Sequence, residues 1–406
     1  MLLTAAVENQ HRHAGLLIGL GMAQLVAWGT LYYAIAVLGQ PMRRELGLTA
    51  PELFGVFTGS LTLSGLLAPW AGALVDRWGG RLTLAASSCI AAAGFVLLAV
   101  SHTFLTFSVA WTLHGLAMAL GLYDTCFAAL AQVVPASYRR SVTAVTLIAG
   151  FASSVAWPTT HYLLLQISWR GTCFIYAASL AVCAVLYLAV LPSRVEGRAV
   201  AKPSLSADAR LTSRVRTAGR MLALAFAGAA FIAGALSAHL IDTLTARDIS
   251  REHAVWLASS VGALQVVGRL VEGVFAQRNT ALQVGFVTFG LLAASTVVLL
   301  ASGSAAWLVV PFVVMYGVSN GLLTITKATI PVELLGFENV GAMLGTFSAP
   351  SLLTRAAAPF GFAFLTSSFG VTGTLAVLVL VGGAALGAYI FATRVVSRAR
   401  ELRTDT

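Results

Sequence analysis

Uninterrupted apolar runs recur along this chain, and two of them, Ala85 to Val100 and Leu375 to Ile390, contain no charged side chain. A helix rises about 1.5 Å per residue and the hydrocarbon core of a bilayer is about 30 Å thick, so about 20 apolar residues cross it. Inside that core the backbone has no water to bond, which leaves helices and closed barrels as the only spanning structures. Barrel strands alternate apolar and polar positions, whereas these runs are apolar on every side. The chain therefore reads as an all-α membrane protein. Twelve spans are predicted, over 14–39, 52–75, 82–101, 104–132, 142–166, 171–192, 220–244, 253–276, 281–302, 305–332, 340–366 and 370–393. Composition agrees: 58% of the 406 residues are hydrophobic and 10% charged, against about a quarter charged in soluble domains.

The start, Met1 to His13, is polar and lacks the basic region, short apolar run and small-residue cleavage site of a secretory signal. The first span is therefore expected to stay in the mature protein. Cys89, Cys126, Cys173 and Cys183 lie inside predicted spans without paired or ligand spacing, and read as small core hydrophobes.

The net charge of +10 suits nucleic acid only if the basic residues share one exposed face. Here they sit in alternate loops. With the N-terminus inside, cytoplasmic segments hold Arg12, Arg77, Arg81, Arg139, Arg140, a run from Arg194 to Arg220, Arg278, and Arg394 to Arg403. The opposite side holds only Arg43, Arg44, Arg170, Arg247 and Arg251. That imbalance follows the positive-inside rule and predicts a multi-pass inner-membrane protein with both termini cytoplasmic. The long basic connection divides the spans six and six. It gives an N-terminal bundle over 1–192, a cytoplasmic linker over 193–219 on anionic headgroups, and a C-terminal bundle over 220–406 with a short tail.

The halves carry a common offset. Gly72-Ala-Leu-Val-Asp76-Arg77 follows the second span and Gly273-Val-Phe-Ala-Gln277-Arg278 the eighth, 201 residues later. Pro158 and Pro359, inside the fifth and eleventh spans, are also 201 apart. Internal repeats of this kind are a frequent construction in transporters.

The ten residues Gly72-Ala-Leu-Val-Asp76-Arg77-Trp-Gly79-Gly-Arg81 resemble the loop signature of the major facilitator superfamily, between its second and third helices. Span count and central loop extend the resemblance over the whole chain. It implies two six-helix bundles and transport by alternating access, with Gly72, Asp76, Arg77, Gly79 and Arg81 in a loop that latches the halves when the cytoplasmic side is closed. The physics is consistent. Gly72 lets helices approach closely, Asp76 is favoured beside a helix N-terminus, and Gln277 in the degenerate copy weakens the second latch.

Within that superfamily the chain looks most like the monocarboxylate-porter branch and its bacterial relatives. The resemblance rests on Tyr32-Tyr33-Ala-Ile-Ala, on Arg44 to Thr49, and on the eighth-span run from Gln265 to Gly273. Members of that branch often place an acid four residues before an arginine in the eighth span. Arg269 matches and Gln265 replaces the acid, so proton coupling through that position is not expected. Trp111 stands where many proton-coupled members have an arginine, and Ala156-Trp157-Pro158 does not reproduce the fifth-span Gly-Pro of drug antiporters.

An ionisable group at mid-bilayer costs at least about 2.5–3.5 kcal/mol, so such groups face the bundle interior and mark function. Arg355 is the deepest cation by these spans, a candidate contact for a substrate anion. Arg269 and Glu272 stand three apart on one helix and suit either a mutual pair or, for Arg269, a substrate. Asp124 is the sole acid deep in the first half and fits a proton carrier or a salt bridge to Lys327. Tyr32, Asn320, Gln24 and Gln265 are softer polar candidates. Trp28, Trp157 and Trp256 read as belt or packing residues before cavity residues. His114, His161, His239 and His253 lack ligand spacing, so no metal and no cofactor are expected.

The leading functional reading is a secondary transporter for a small organic anion such as a monocarboxylate, with a proton as candidate coupling ion and a monomer as the expected unit. Its alternatives are an efflux pump for drug-like or other toxic compounds and, in another class, a transport-inactive membrane sensor. No phosphate-cradling Gly-Lys-Ser/Thr loop is present, so neither an ATP-driven pump nor an enzyme is expected. The substrate would contact the first, fourth, seventh and tenth spans, as the resemblance implies.

Overall fold

The computed structural model describes residues 2–193, 209–275, 278–303, 305–336 and 339–404. Arg194, Arg198 and Lys202 of the basic linker, and Gln277 of the second loop copy, lie outside the described residues. So do the side chains of Arg12, Arg210, Arg214, Arg398, Arg400 and Arg403. Among the described residues there are helices and short helical turns, and no strand.

Among the described residues, ten helical segments are long and apolar enough to cross a membrane. Two of them, Pro135–Val190 and Val340–Val396, run to 56 and 57 residues, about 84 Å at roughly 1.5 Å per residue, far beyond a bilayer core. Each is broken once by a left-handed backbone, at Ser168 (φ 68°) and at Gly370 (φ 69°). Each therefore crosses twice, which gives the twelve crossings expected from the sequence.

The chain divides into two compact units, Met1–Arg198 with Asn339–Gly345, and Ala199–Glu338 with Thr346–Thr406. In the first unit, helix α1 (Leu2–Trp28) passes through a π-helical turn (Gly29–Tyr33) into α2 (Ile35–Leu46). Then follow α3 (Ala50–Trp78), α4 (Gly80–Ala99), α5 (Phe104–Gly121), α6 (Tyr123–Val133), α7 (Tyr138–Ala149) and α8 (Ala152–Val190). Helix α4 packs on α5 and α8, α3 on α5, and α1 on α7 and α8. Association in lipid relies on close packing at small residues: a Cβ at Gly115 would lie 2.6 Å from the Ser60 carbonyl, and one at Gly80 2.1 Å from Ala129. Phe95, Phe107, Trp111, Met118, Trp169 and Tyr176 form the core around Cys173. Cys126, Cys173 and Cys183 are buried as expected, whereas Cys89 is exposed.

The second unit contains α9 (Ala209–Thr245), α10 (Arg251–Phe275), α11 (Ala281–Ala301), α12 (Val309–Leu335) and most of α13 (Val340–Thr404). Helix α12 packs on both α10 and α11. Gly268 meets the Val318 carbonyl and Gly321 the Gln265 carbonyl, at 2.6 and 2.1 Å from an added Cβ.

Equivalent joints appear in both units at the repeat offset. Ser87 Oγ donates to the Ala117 carbonyl at 2.8 Å, and Ser319 Oγ to the Thr288 carbonyl at 2.9 Å. The same two helices are stitched at the same depth, with donor and acceptor exchanged. Ala99 and Leu300, 201 apart, end equivalent helices, and each carbonyl is capped by an arginine from elsewhere in its unit: Arg170 for Ala99, Arg247 at 2.9 Å for Leu300. A cation is favoured at a helix C-terminus.

Arg170 does more than cap. It donates to the Ser101 carbonyl and to Glu45, both at 2.8 Å, and its guanidinium lies 4.3 Å from the centroid of the Trp169 ring. The Trp169 indole N–H donates to the other Glu45 oxygen. The bond from Arg170, then that from Trp169, holds the Glu45 carboxyl below the usual glutamate range. Together these contacts tie α2, the end of α4 and the Ser168 break into one junction.

Arg170→Ala is expected to destabilise the detergent-solubilised protein by about 1–3 kcal/mol, the worth of charge-assisted bonds at a partly exposed site. The Glu45 contribution is fully present above the unfolded glutamate value of about 4.3 and is lost as pH falls through the lowered folded value. The parent protein should therefore lose more melting temperature across that acid window than Arg170→Ala; parallel curves would show that the junction contributes nothing.

Candidate functional site

Two backbone interruptions meet in the first unit. Helix α5 stops at Gly121, Leu122 is extended (φ −82°, ψ −167°), and α6 restarts at Tyr123. A break leaves a carbonyl without its amide, which is costly in an apolar interior. Gln24 supplies the donor: fully buried on α1, its amide nitrogen donates to the Gly121 carbonyl at 2.6 Å and to the Tyr187 hydroxyl at 3.2 Å. Gly121 is required here because a Cβ would collide with Ser87 Oγ at 1.9 Å. Asp124 stands half-buried in the first turn of α6, where the helix dipole favours an acid.

One turn along α1 from Gln24, the π-helical turn Gly29–Tyr33 begins. Such turns re-aim side chains and recur at functional sites. Trp28 lies 5.0 Å from the Tyr123 ring and 5.5 Å from that of Tyr32, and Tyr32 lies 5.9 Å from Phe57. Tyr33 stands edge-on to Trp157, whose indole N–H donates to the Tyr33 carbonyl at 3.2 Å.

Asp76 closes the loop signature. Its carboxylate accepts from the backbone N–H groups of Gly341 at 3.0 Å and Ala342 at 2.7 Å, the first turn of α13, within the segment that clusters with the first unit. Orphan donors at a helix start are a ready anion site. The approach is permitted by glycine on both sides: a Cβ on Gly72 would lie 1.8 Å from the Gly341 carbonyl, and one on Gly345 2.1 Å from that of Ala68. Gly79 turns the chain with φ 84° and its N–H bonds back to Val75. Arg77 is exposed, while Arg81 is half-buried with its Nε enclosed and unpartnered.

In the second unit Arg269 and Glu272 are 6% and 2% exposed on α10, placed there by the close seam with α12. Asn320 is hydrogen-bonded to the buried hydroxyl of Tyr316, one turn earlier on α12, and Arg355 is near enough to act on that hydroxyl electrostatically. Arg355 itself is exposed, and Lys327 is half-buried. His239 bonds the Pro359 carbonyl at 3.0 Å and stacks on Phe362 at 4.9 Å, so it ties α9 to α13. No group of three or more His, Cys, Asp or Glu among the described residues is placed to hold a metal ion.

Tyr32 thus lies in the π-helical turn and Asp124 just after the Leu122 break, while in the second unit Asn320 bonds Tyr316 and Arg355 lies within electrostatic range of it. Sequence reading missed Tyr316, Tyr123 and the Leu122 break. It also missed the partner of Asp76, although Gly341 and Gly345 stand four apart as a small-residue contact stripe.

Twelve crossings with interrupted helices and polar groups held inside define a multi-pass membrane protein built to move a solute. The sequence matches the family model of the Major Facilitator Superfamily over residues 20–359, and the chain belongs to that family of membrane transporters. Its fold is similar to the human organic anion transporter MFSD10 (TETRAN), at TM-score 0.67 and 17% identity over 94% of this chain and 99% of that one. It is also similar to the Escherichia coli fucose:proton symporter FucP, at TM-score 0.70 and 12% identity over 94% and 97%. A search of the curated proteins finds no match to this sequence.

Gln24→Leu strands the Gly121 carbonyl and is expected to cost about 1–3 kcal/mol, read as a lower melting temperature in detergent. Gln24→Glu, which loses the amide donor without losing shape, should fare no better. Gly72→Leu should abolish transport while leaving membrane insertion normal, because its side chain has no room against Gly341. Full transport by that variant would show that the close approach is dispensable.

Proposed function

We propose that this chain is a secondary transporter for a small organic anion, of the monocarboxylate-porter type, working by alternating access as a monomer in the inner membrane. In this reading the bundles over 1–192 and 220–406 rock about the midplane, with both termini and the 193–219 linker cytoplasmic. Asp76, Arg77 and Arg81 hold the loop latch through the start of α13. The observation that carries the proposal is Arg355: an exposed guanidinium in the span that holds Pro359, within electrostatic range of the Tyr316 hydroxyl, offers a carboxylate one charge. The excess of cations over acids deep in the second half supports an anion over a sugar. That MFSD10 transports organic anions is in keeping with it.

Arg269, buried on α10, assists as a second cation, and Lys327 and Asn320 complete the polar set. Asp124 is the candidate proton carrier, since the eighth-span acid of the branch is replaced by Gln265. The second reading, efflux of apolar compounds, is favoured by one observation, the exposed and half-exposed aromatic rings along α1, α3, α6 and α8.

Proteoliposomes loaded with radiolabelled pyruvate or benzoate separate the readings. Arg355→Ala and Arg269→Ala should each lower carboxylate flux at least about tenfold, the effect of losing roughly 1.4 kcal/mol. Arg355→Lys should retain part of it. Unchanged flux in both alanine variants removes the organic-anion reading, and flux of neutral apolar compounds alone favours the second.

A further inference from the structure

We propose that the seam between α2 and α8 holds one phospholipid with an amine headgroup, its phosphate on Arg44 and its ammonium on Glu45, in the leaflet opposite the Gly72–Arg81 loop. The site is separate from Tyr316 and Arg355, and it does not depend on which solute is carried.

A cavity of about 480 Å³ opens on this seam, lined by Gln40, Pro41, Arg44 and Glu45 from α2 and by Leu164 and Trp169 from α8. All six residues belong to the first unit. The size falls within the roughly 300–1,000 Å³ of small-molecule sites.

The rim of the cavity carries both signs of charge. Arg44 is exposed and, among the described residues, has no hydrogen-bond or ion-pair partner. Successive residues on a helix point about 100° apart, so Arg44 and Glu45 flank the opening without pairing across it. Glu45 already accepts from Arg170 Nε and from the Trp169 indole. A carboxylate has about four acceptor positions, however, and this side chain is 49% exposed. A ligand that completes the rim brings an anion for Arg44 and an N–H donor for Glu45. Arg43 and Arg170 leave the local charge positive, so the phosphate is the main anchor and Glu45 is the group that tells a primary amine from a choline, which has no N–H to give.

The walls of the seam are apolar and have the length of one leaflet. Arg43, Arg44 and Glu45 are the first charged residues after an uncharged run that begins at Ala14, so the rim stands where the rod leaves the hydrocarbon. Trp169 at the rim suits headgroup level, where tryptophan is enriched. Below it Pro41, Val37 and Tyr33, all half-buried, follow one stripe of the rod at helical spacing, and Leu164 and Trp157 follow one stripe of α8. Trp157 is 47% exposed and meets Tyr33 edge-on at 5.9 Å, which closes the lower end. From Arg44 to Tyr33 the rod descends roughly 16 Å at about 1.5 Å per residue, about half of a 30 Å core. A free zwitterion leaves that length unused, whereas an acyl chain fits it.

Native mass spectrometry of the full-length protein in detergent, titrated with dioleoyl phosphatidylethanolamine, phosphatidylcholine and phosphatidylglycerol, tests the site. One phosphatidylethanolamine should be retained about tenfold more tightly than phosphatidylcholine, the effect of one charge-assisted bond, and more tightly than phosphatidylglycerol. Arg44→Ala should weaken phosphatidylethanolamine about tenfold, and Glu45→Gln should bring the ethanolamine-to-choline ratio toward one. Glu45→Gln also touches Arg170, so melting curves accompany it; Arg44→Ala breaks no contact within the protein and keeps the test open if the other variant unfolds. Arg251→Ala, at an exposed cation of the second unit, should change neither quantity.

Equal retention of the three lipids, tighter phosphatidylglycerol, or binding untouched by Arg44→Ala overturns the site. Free phosphoethanolamine that competes as strongly as the lipid assigns the rim to a soluble ligand and overturns the lipid. Either result leaves the carboxylate flux of Arg355→Ala and Arg269→Ala as a separate question.

Discussion

Every amide in this protein that lies in oil must find its partner within the protein, and the rest of the structure follows from that demand. Twelve crossings satisfy it by staying helical. Among the described residues, several helix ends and one break are met by a named side chain: Gln24 at Gly121, Arg170 at Ala99, Arg247 at Leu300, Asp76 at Gly341 and Ala342. An arginine suits a helix C-terminus and an aspartate a helix N-terminus for the same electrostatic reason. The scarce charges of a chain that is 10% charged are thus spent first on the ends and breaks of rods.

Because apolar side chains gain nothing by leaving lipid for one another, contact between rods depends on how closely backbones can approach. Gly115 on Ser60, Gly268 on Val318, Gly321 on Gln265 and Gly72 on Gly341 are all approaches that a Cβ would block. These seams fix the positions of the polar residues beside them. Arg269 is buried because Gly268 brings α10 against α12, and Asp76 reaches the start of α13 because Gly72 and Gly341 let it.

The span pattern, the helical class and the family were legible in the sequence, since hydrophobic length and the Gly72 to Arg81 spacing depend only on local composition. The reversal at Ser168 falls in the gap between the spans predicted over 142–166 and 171–192, and that at Gly370 falls on the first residue of the span predicted over 370–393. What could not be read was irregularity inside a span. The run from Phe104 to Val133 is apolar enough to read as one helix, and Leu122 carries no proline or glycine signal of its own; the break depends on Gln24, 97 residues away. The π-helical turn has the same character, hidden in a stretch of bulky aromatic residues. Charged groups could be placed by depth but not by exposure, so Arg355 stood out while the buried Tyr316, partner of Asn320, did not.

The repeat explains which features are scaffold and which are special. Joints found in both units, such as the Ser87 and Ser319 stitches or the carbonyl caps at Ala99 and Leu300, belong to the shared frame and need no substrate to account for them. Features present in one unit alone are different. The α5–α6 rod is broken at Leu122 where α12 is unbroken at the equivalent position, and the buried Gln24 bonds the carbonyl the break frees. Irregular backbone inside a membrane persists where protein groups meet its freed bonds, and Gln24 does so for Gly121.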